Sequence, residues 1–318
     1  MKLWSDDIDA HRDEARAVVN GAMAAIAESL AGTGPVPDDP LVRVQEQRKR
    51  FEQTFVPVAE AEVTTIAGVP CRVFRPDGGA RAVYLHFHGG GMILGAPEMN
   101  DTGNLDLARR FQVAVVSVDY RLAPEHPFPA GPDDGVAVAE WLLANGEREF
   151  GSDRLLLGGE SAGGYMAAAV LLRIRDELGA VDRVDGVNLV FGVYDWGRSP
   201  SQRGIRPVDG PDMLTPDGID FFTDCYLPGR SDDERRDPSV SPLFADLRGL
   251  PPALMSVGTS DHLLDDTLMF AARYAAAGND VELFVAPDMP HGFMAFPCAI
   301  TREWSSTTDA WFTRVVSA

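Results

Sequence analysis

The apolar positions of this chain follow two different periods. Over residues 8–30 they recur every three or four places, with Ile8, Ala15, Val18, Val19, Met23 and Ile26 on one broad face, as in an amphipathic helix. The stretch GTGPVPDDP interrupts that pattern, since proline and glycine break a helix. A second helix is expected over residues 41–55. The period then shortens. AEVTTIAG, VPCRVFRP and RAVYLHFH are short β-rich runs bounded by turn residues, and read as three strands.

From there strands and helices alternate. VAVVSVDY reads as a buried strand, and PDDGVAVAEWLLANG as a helix with acidic residues in its first turn and a glycine stop. RLLLGG is a strand and residues 161–178 a helix; GVNLVFGVYD and PALMSVGTS are strands, followed by a helix over 263–277. VELFVAP is the last strand and residues 302–316 the closing helix. Such alternation implies an α/β protein with a mostly parallel sheet covered on both faces. Residues 196–252 do not fit it. They are rich in Pro, Asp, Gly and Arg around an aromatic run, GIDFFTDCYLPG. A long insertion in a compact α/β domain is usually functional, and a lid over a site is expected here.

Composition narrows the partners. With 318 residues the chain can form one large domain with a lid. Its formal net charge of −20 argues against nucleic acid or an anionic membrane as a partner. MKLWSDDIDAHRDEARAVV lacks the apolar core of a signal peptide, and no run approaches the ~18 apolar residues of a membrane span. Cys71, Cys225 and Cys298 are odd in number and far apart, as free thiols in a reducing cytoplasm would be. Neither His nor Cys is paired at ligand spacing on one element, so no metal and no organic cofactor is expected.

One hydroxyl stands where packing alone would ask for nothing polar. Ser161 lies in Gly159-Glu160-Ser161-Ala162-Gly163, after a strand and at the start of a helix. A strand turning sharply into a helix strains its corner residue, needs small neighbours, and lifts the serine oxygen clear of the sheet. A serine is a weak nucleophile without a base, and the base needs an orienting carboxylate. Of six histidines only His262 and His291 follow the serine, and His291 comes just after the last strand. Asp261 is the first carboxylate after the preceding strand, while Asp265 and Asp266 suit helix capping. An oxyanion needs preset N–H donors. These are expected from Ala162 and from the glycine run Gly89, Gly90 and Gly91 behind His88.

Together HGGG at 88–91, DYRLAPEHPFPA at 119–130, GESAGG at 159–164, Asp261 and HGF at 291–293 resemble the hormone-sensitive-lipase-like carboxylesterases, bacterial family IV of the α/β-hydrolases. The resemblance runs from about residue 80 to 295. It implies an eight-stranded mixed sheet flanked by helices and a helical cap. Residues 1–55 would supply part of the cap and 196–252 the insertion, with the core in 56–195 and 253–318. It also implies that YRLAPEHPFPA braces the site. Three positions depart from the family: Met92 where a bulky aromatic is common, Tyr165 for Asn or His, and His262 for proline.

The expected activity is hydrolysis of short- to medium-chain esters, on a small-molecule substrate, by a monomer or homodimer. Met92, Tyr165, Phe221, Phe222 and Phe293 are the expected pocket, with Met213 and Tyr226 on the lid and Trp4, Ile8 and Val18 on the N-terminal helices. The alternatives are an amide or formamide hydrolase of arylformamidase or arylacetamide deacetylase type, and a non-catalytic receptor. His291 argues against the receptor, because the gibberellin receptors that resemble this family lack the catalytic histidine.

Overall fold

The computed structural model describes residues 3–30, 37, 39–204 and 213–317. The expected break at GTGPVPDDP falls largely outside them, as do residues 205–212 of the insertion. Eight strands form one sheet: β1 (Glu62–Ile66), β2 (Val69–Phe74), β3 (Ala82–Phe87), β4 (Val113–Val118), β5 (Leu155–Glu160), β6 (Val184–Val190), β7 (Ala253–Ser260) and β8 (Val281–Pro290). Their spatial order is β1-β2-β4-β3-β5-β6-β7-β8. The β1–β2 and β2–β4 pairs are antiparallel and the rest parallel. The expected mixed, mostly parallel sheet is what the chain forms.

The helices are α1 (Asp6–Asp9), α2 (Arg12–Leu30), α3 (Pro40–Glu52), α4 (Asp101–Phe111), α5 (Ala130–Phe150), α6 (Ala162–Arg173), α7 (Pro216–Tyr226), α8 (Asp232–Arg235), α9 (Leu264–Ala276) and α10 (Ala299–Ser317). Successive side chains on a strand point to opposite faces, and that alternation builds two cores. Val83, Leu85 and Phe87 of β3, with Leu155 and Leu157 of β5, join Val138 and Leu142 of α5 and the apolar side of α6. Ala82, Tyr84 and Leu156 point the other way, to Ala108 and Phe111 of α4 and Trp311 and Phe312 of α10. Strands buried on both faces read as unbroken apolar runs, which is why they were legible.

Four local expectations need correction. The helix expected over 8–30 is divided, with α1 closing at Asp9 and α2 beginning at Arg12. The glycine stop of α5 is Gly151, in the left-handed conformation at φ +85°, and not Gly146, which is buried inside the helix. The helix after Ser161 changes to a π-turn over Ile174–Leu178. α4 had no sequence assignment. It ends on Gln112 in the left-handed region and packs on β4 through Ala108 and Phe111.

The N-terminal helices take two different seats. Ala15, Val19 and Met23 of α2 bury against Phe284, Val285 and Phe293 around β8, with Trp4, Ile8 and Val18 alongside. α3 instead lies across the loops after β3 and β4, through Arg48.

The second core gives a stability test. Trp311 is buried between β6 and Phe312, and its ring fills the space over Gly186. Trp311→Ala is expected to cost about 3–5 kcal/mol, because the lost burial leaves a cavity. Denaturant unfolding measures it; a loss below about 1 kcal/mol would mean that α10 contributes little to the sheet.

Candidate active site

The sheet topology sets where the site must form. After β3 the chain moves to β4 on one side, and after β4 it returns to β5 on the other side of β3. Loops therefore diverge between the carboxyl ends of β3 and β5, leaving a crevice. Phe87 and Gly159 are register partners there, so the loop 88–91 and the turn at Ser161 emerge side by side.

Ser161 has φ +56° and ψ −117°, a conformation that costs a non-glycine residue about 1–3 kcal/mol. Its neighbours explain how the corner is packed. A Cβ on Gly163 would lie 1.9 Å from the Phe87 carbonyl oxygen, and one on Gly159 would lie 2.2 Å from the same atom. Only glycine lets α6 come this close to β3. The Ser161 N–H donates to Val190 O at 2.9 Å and its carbonyl accepts from Tyr165 N at 3.1 Å. The corner is thus hydrogen-bonded to β6 and into α6.

The ends of β7 and β8, beyond β6, supply the partners. Ser260 of β7 pairs with Pro290 of β8, so the residues that follow, Asp261 and His291, leave adjacent positions. His291 Nε2 lies 2.9 Å from Ser161 Oγ, and Nδ1 lies 2.8 Å from Asp261 Oδ2. The Asp261 carboxylate is buried, and its Oδ1 accepts the Leu263 N–H at 2.8 Å. Phe191 packs edge-on against the imidazole at 4.6 Å between ring centres. This arrangement can pull a proton from Ser161 Oγ and hold the resulting imidazolium.

The glycine loop closes the other side. Gly90 and Gly91 have φ of +123° and +62°; a Cβ on Gly90 would sit 2.1 Å from Leu94 O. A Cβ on Gly89 would lie 3.7 Å from that of Ser161, which puts the loop in contact with the nucleophile's corner. Ala162 is the first residue of α6, so its N–H has no acceptor within the helix. His88 is fully buried and stacked on Tyr120. Burial lowers its imidazole to about 3, so it is neutral, and Nδ1 donates to Gly89 O at 2.8 Å. Tyr120 Oη donates to His88 O, and Ala123 N to Met92 O, so the stretch 119–130 does brace this loop.

A small, mostly apolar cavity opens beside Ser161, walled by Gly91, Val193, Trp196, Leu214, Phe222 and Leu263 among others. Of the five pocket residues expected from sequence, only Phe222 is in this wall; its ring rests directly on Gly91. Met92 has positive φ and turns inward toward Gly131 of α5. Tyr165 is buried behind the wall, its hydroxyl 3.0 Å from that of Tyr226. Phe293 packs on Phe191 and Trp304, and Phe221 lies under the Arg43 guanidinium. Met213 is half exposed. A larger groove, about 920 Å3, lies between α5 and residues 238–249 and touches none of the expected site residues.

Sequence reasoning also missed two polar assemblies. Beneath the corner, Glu160 Oε2 accepts from Asn100 Nδ2 at 3.1 Å and faces His86 Nε2 at 3.3 Å, while His86 Nδ1 meets Ser117 Oγ at 2.8 Å. Beside Asp261, the root of the insertion is clasped to α9. Buried Asp266 accepts from Tyr194 N, Asp195 N, Ser199 Oγ and Gln202 Nε2, all within 2.8 Å. Burial pushes its carboxyl up to about 7 against these donors. His262 Nδ1 donates to Ser201 O at 2.7 Å, a bond that the usual proline could not make. Apart from Glu160, which lies inside the serine motif, the polar residues of these assemblies belong to no motif read from the sequence.

Among the described residues no group of three or more His, Cys, Asp or Glu is gathered as metal ligands would be, and no helix is long and apolar enough to cross a membrane.

A serine at a strained strand-to-helix corner after β5, with aspartate and histidine leaving the ends of β7 and β8, defines a serine hydrolase of the α/β-hydrolase class. The comparisons agree. Residues 84–295 match the family model described as alpha/beta hydrolase fold. The chain is 34% identical over 302 residues to carboxylesterase NlhH of Mycobacterium tuberculosis, across 89% of this chain and 92% of that protein. It resembles the Pyrobaculum calidifontis esterase with a TM-score of 0.77 at 32% identity, covering 88% of this chain and 95% of the other. A hormone-sensitive lipase from a metagenome library gives 0.76 at 30%, over 96% and 98%. The chain belongs to the α/β-hydrolase family, among its hormone-sensitive-lipase-like carboxylesterases, and is a carboxylic ester hydrolase.

The first two carboxylates after β7, Asp261 and Asp265, are separable. Asp261→Asn is expected to lower turnover by about 10³–10⁴, by loss of the correct imidazole tautomer. Among the described residues Asp265 accepts from Ser201 N, which an asparagine oxygen can also do, so Asp265→Asn should leave turnover within about threefold. Steady-state kinetics on both variants decide it, and reversed behaviour would overturn the choice of acid.

Proposed function

We propose that the chain hydrolyses short- to medium-chain carboxylic esters through an acyl-enzyme intermediate. Ser161 Oγ attacks the ester carbonyl while His291 Nε2 takes its proton. Asp261 holds the imidazole through Nδ1–H and stabilises its positive form. The N–H groups of Ala162 and of two among Gly89, Gly90 and Gly91 receive the oxyanion. The tetrahedral intermediate collapses, His291 returns the proton to the leaving alcohol, and the acyl group stays on Ser161. Water, activated by the same histidine, then releases the acid and restores the serine.

The observation that carries this reading is the continuous hydrogen-bonded line from Asp261 through His291 to Ser161, at 2.8 and 2.9 Å. The short acyl range is supported by the cavity beside Ser161. Its apolar wall is narrowed next to the nucleophile by the Phe222 ring resting on Gly91. A cap made of residues 1–55 and 196–252 is supported by α7, whose Phe222 closes the cavity, and by α3, whose Arg43 lies on Phe221. Among the described residues, α2 packs on β8 and supplies none of the residues that wall the cavity. A cytoplasmic monomer or homodimer completes the proposal; three free, buried cysteines support the reducing location.

Two measurements test it. Ser161→Ala should lower ester turnover by on the order of 10⁶ in a folded protein. Activity within tenfold of the parent would end the mechanism. The second is kcat/KM over p-nitrophenyl esters from acetyl to palmitoyl. Each methylene that finds wall contributes up to roughly 0.8 kcal/mol, so the maximum should fall between acetyl and octanoyl, with a steep decline beyond. A maximum at palmitoyl would refute the short-acyl reading.

A further inference from the structure

Helix α3 is docked in an unusual way. Its only fully buried residue is Val44; its remaining grip comes largely from two arginines. Arg48 Nε donates to Ile93 O at 2.7 Å and Nη2 to Ala123 O at 2.8 Å. The same guanidinium makes a two-point pair with Glu125, at 2.8 and 2.9 Å. Arg43 lies over the Phe221 ring, 3.9 Å from its centre. A helix that buries so little apolar surface adds little to the core. What it holds matters more.

Both carbonyls that Arg48 holds belong to the framework of the glycine loop. Ile93 and Leu94 donate their N–H groups to Gly90 O at 3.1 and 2.8 Å, closing the turn that carries Gly90 and Gly91. Ala123 donates to Met92 O at 2.9 Å, so the segment bearing the second carbonyl is bonded to the same turn. The turn is built on two glycines at positive φ, and glycine backbone is the least constrained in the chain. Its rigidity has to come from outside. Arg48 fits that need, because its planar fork can serve two carbonyls and a carboxylate at once. Burial alone would raise the Glu125 carboxyl, but Arg48 brings it below its ordinary value, so the pair is charged at neutral pH.

We propose that Arg48 is a positioning residue for ester hydrolysis: by holding the carbonyls of Ile93 and Ala123 it fixes the turn whose amides receive the oxyanion. Arg43, five residues earlier, steadies Phe221 and through it Phe222, which rests on Gly91 and walls the acyl cavity. One helix thus sets oxyanion geometry through one arginine and pocket shape through the other. The inference rests on the oxyanion assignment made above.

The test uses the full chain with Arg48→Ala, Arg48→Lys and Arg43→Gln, on p-nitrophenyl acetate and butyrate. Intact sites are counted by end-point labelling of Ser161 with a p-nitrophenyl phosphonate, so misfolded protein drops out. A displaced oxyanion donor acts in the transition state. Arg48→Ala should therefore lower kcat per labelled site by about 10- to 100-fold, with KM within about twofold. The loss should be equal for both acyl groups. Arg48→Lys should recover only a small part of it, and methylguanidinium at sub-denaturing concentration should partly rescue Arg48→Ala and leave the parent unchanged. Arg43→Gln should instead alter the acetate-to-butyrate ratio. If Arg48→Ala does not fold, Arg48→Lys carries the same expectation. A kcat per labelled site within about twofold of the parent overturns the proposal. So does a loss that merely follows the number of labelled sites. Failure of the underlying mechanism would look different: Ser161→Ala would stay active and the phosphonate would not label Ser161.

Discussion

The contact on which the rest of this structure depends is the approach of α6 to the end of β3. Two glycines, Gly159 and Gly163, both face the Phe87 carbonyl oxygen at distances no side chain could tolerate. That closeness forces the chain to turn within one residue, and Ser161 takes the strained conformation that results. The strain is sustained because α6 is buried along nearly its whole length, with alanines and glycines against the sheet and Val170 and Leu171 in the core. Side-chain burial of roughly 1.5–3 kcal/mol for each large apolar residue easily outweighs one strained dihedral pair. The hydroxyl is therefore presented by packing that lies beneath it.

The same economy governs the other two groups. Asp261 and His291 are brought together by a backbone register, Ser260 against Pro290, before any side-chain contact is made. Gly258, in the bulged part of β7, lies against the Met289 carbonyl, again too close for a Cβ. Two close approaches in one sheet thus set three side chains at the ends of β5, β7 and β8. Hydrogen bonds then act only over short distances, to select a tautomer and an orientation. Phe191 finishes the placement from β6 by packing on the imidazole, which leaves the ring few alternatives.

Much of this was legible because it is local or periodic. The buried strands appear as apolar runs, and Ser161, the glycine loop, Asp261 and His291 occupy short motifs whose order along the chain matches the order of strand ends. What the sequence concealed is set by tertiary direction. Tyr165 is one turn along α6 from the serine and seemed a natural pocket residue, yet the helix carries it under Trp196. Met92 follows the glycines, but its positive φ reverses its side chain into the core. The actual wall draws on Val193, Trp196, Leu214 and Leu263, from segments far apart in sequence. Helix α4 was overlooked because its apolar face, Ala108 and Phe111, is short beside its charged one. Arg43 and Arg48 lie in a helix of poor apolar content, where no local pattern sets them apart from solvated charges.

Those arginines show how two kinds of attachment divide the N-terminal region. α2 is held as a core helix is, by Ala15, Val19 and Met23 against β8, where dispersion and water exclusion act without direction. α3 is held by directed bonds from one guanidinium to two carbonyls and a carboxylate. Apolar packing tolerates small sliding, because one methyl contact replaces another at little cost. A fork of hydrogen bonds does not, since each weakens steeply once its angle or length departs from the narrow range it prefers. An element that holds a turn built on two glycines at positive φ is better attached the second way. The polar docking of α3 is therefore consistent with its place in the fold, astride the loops that frame the serine.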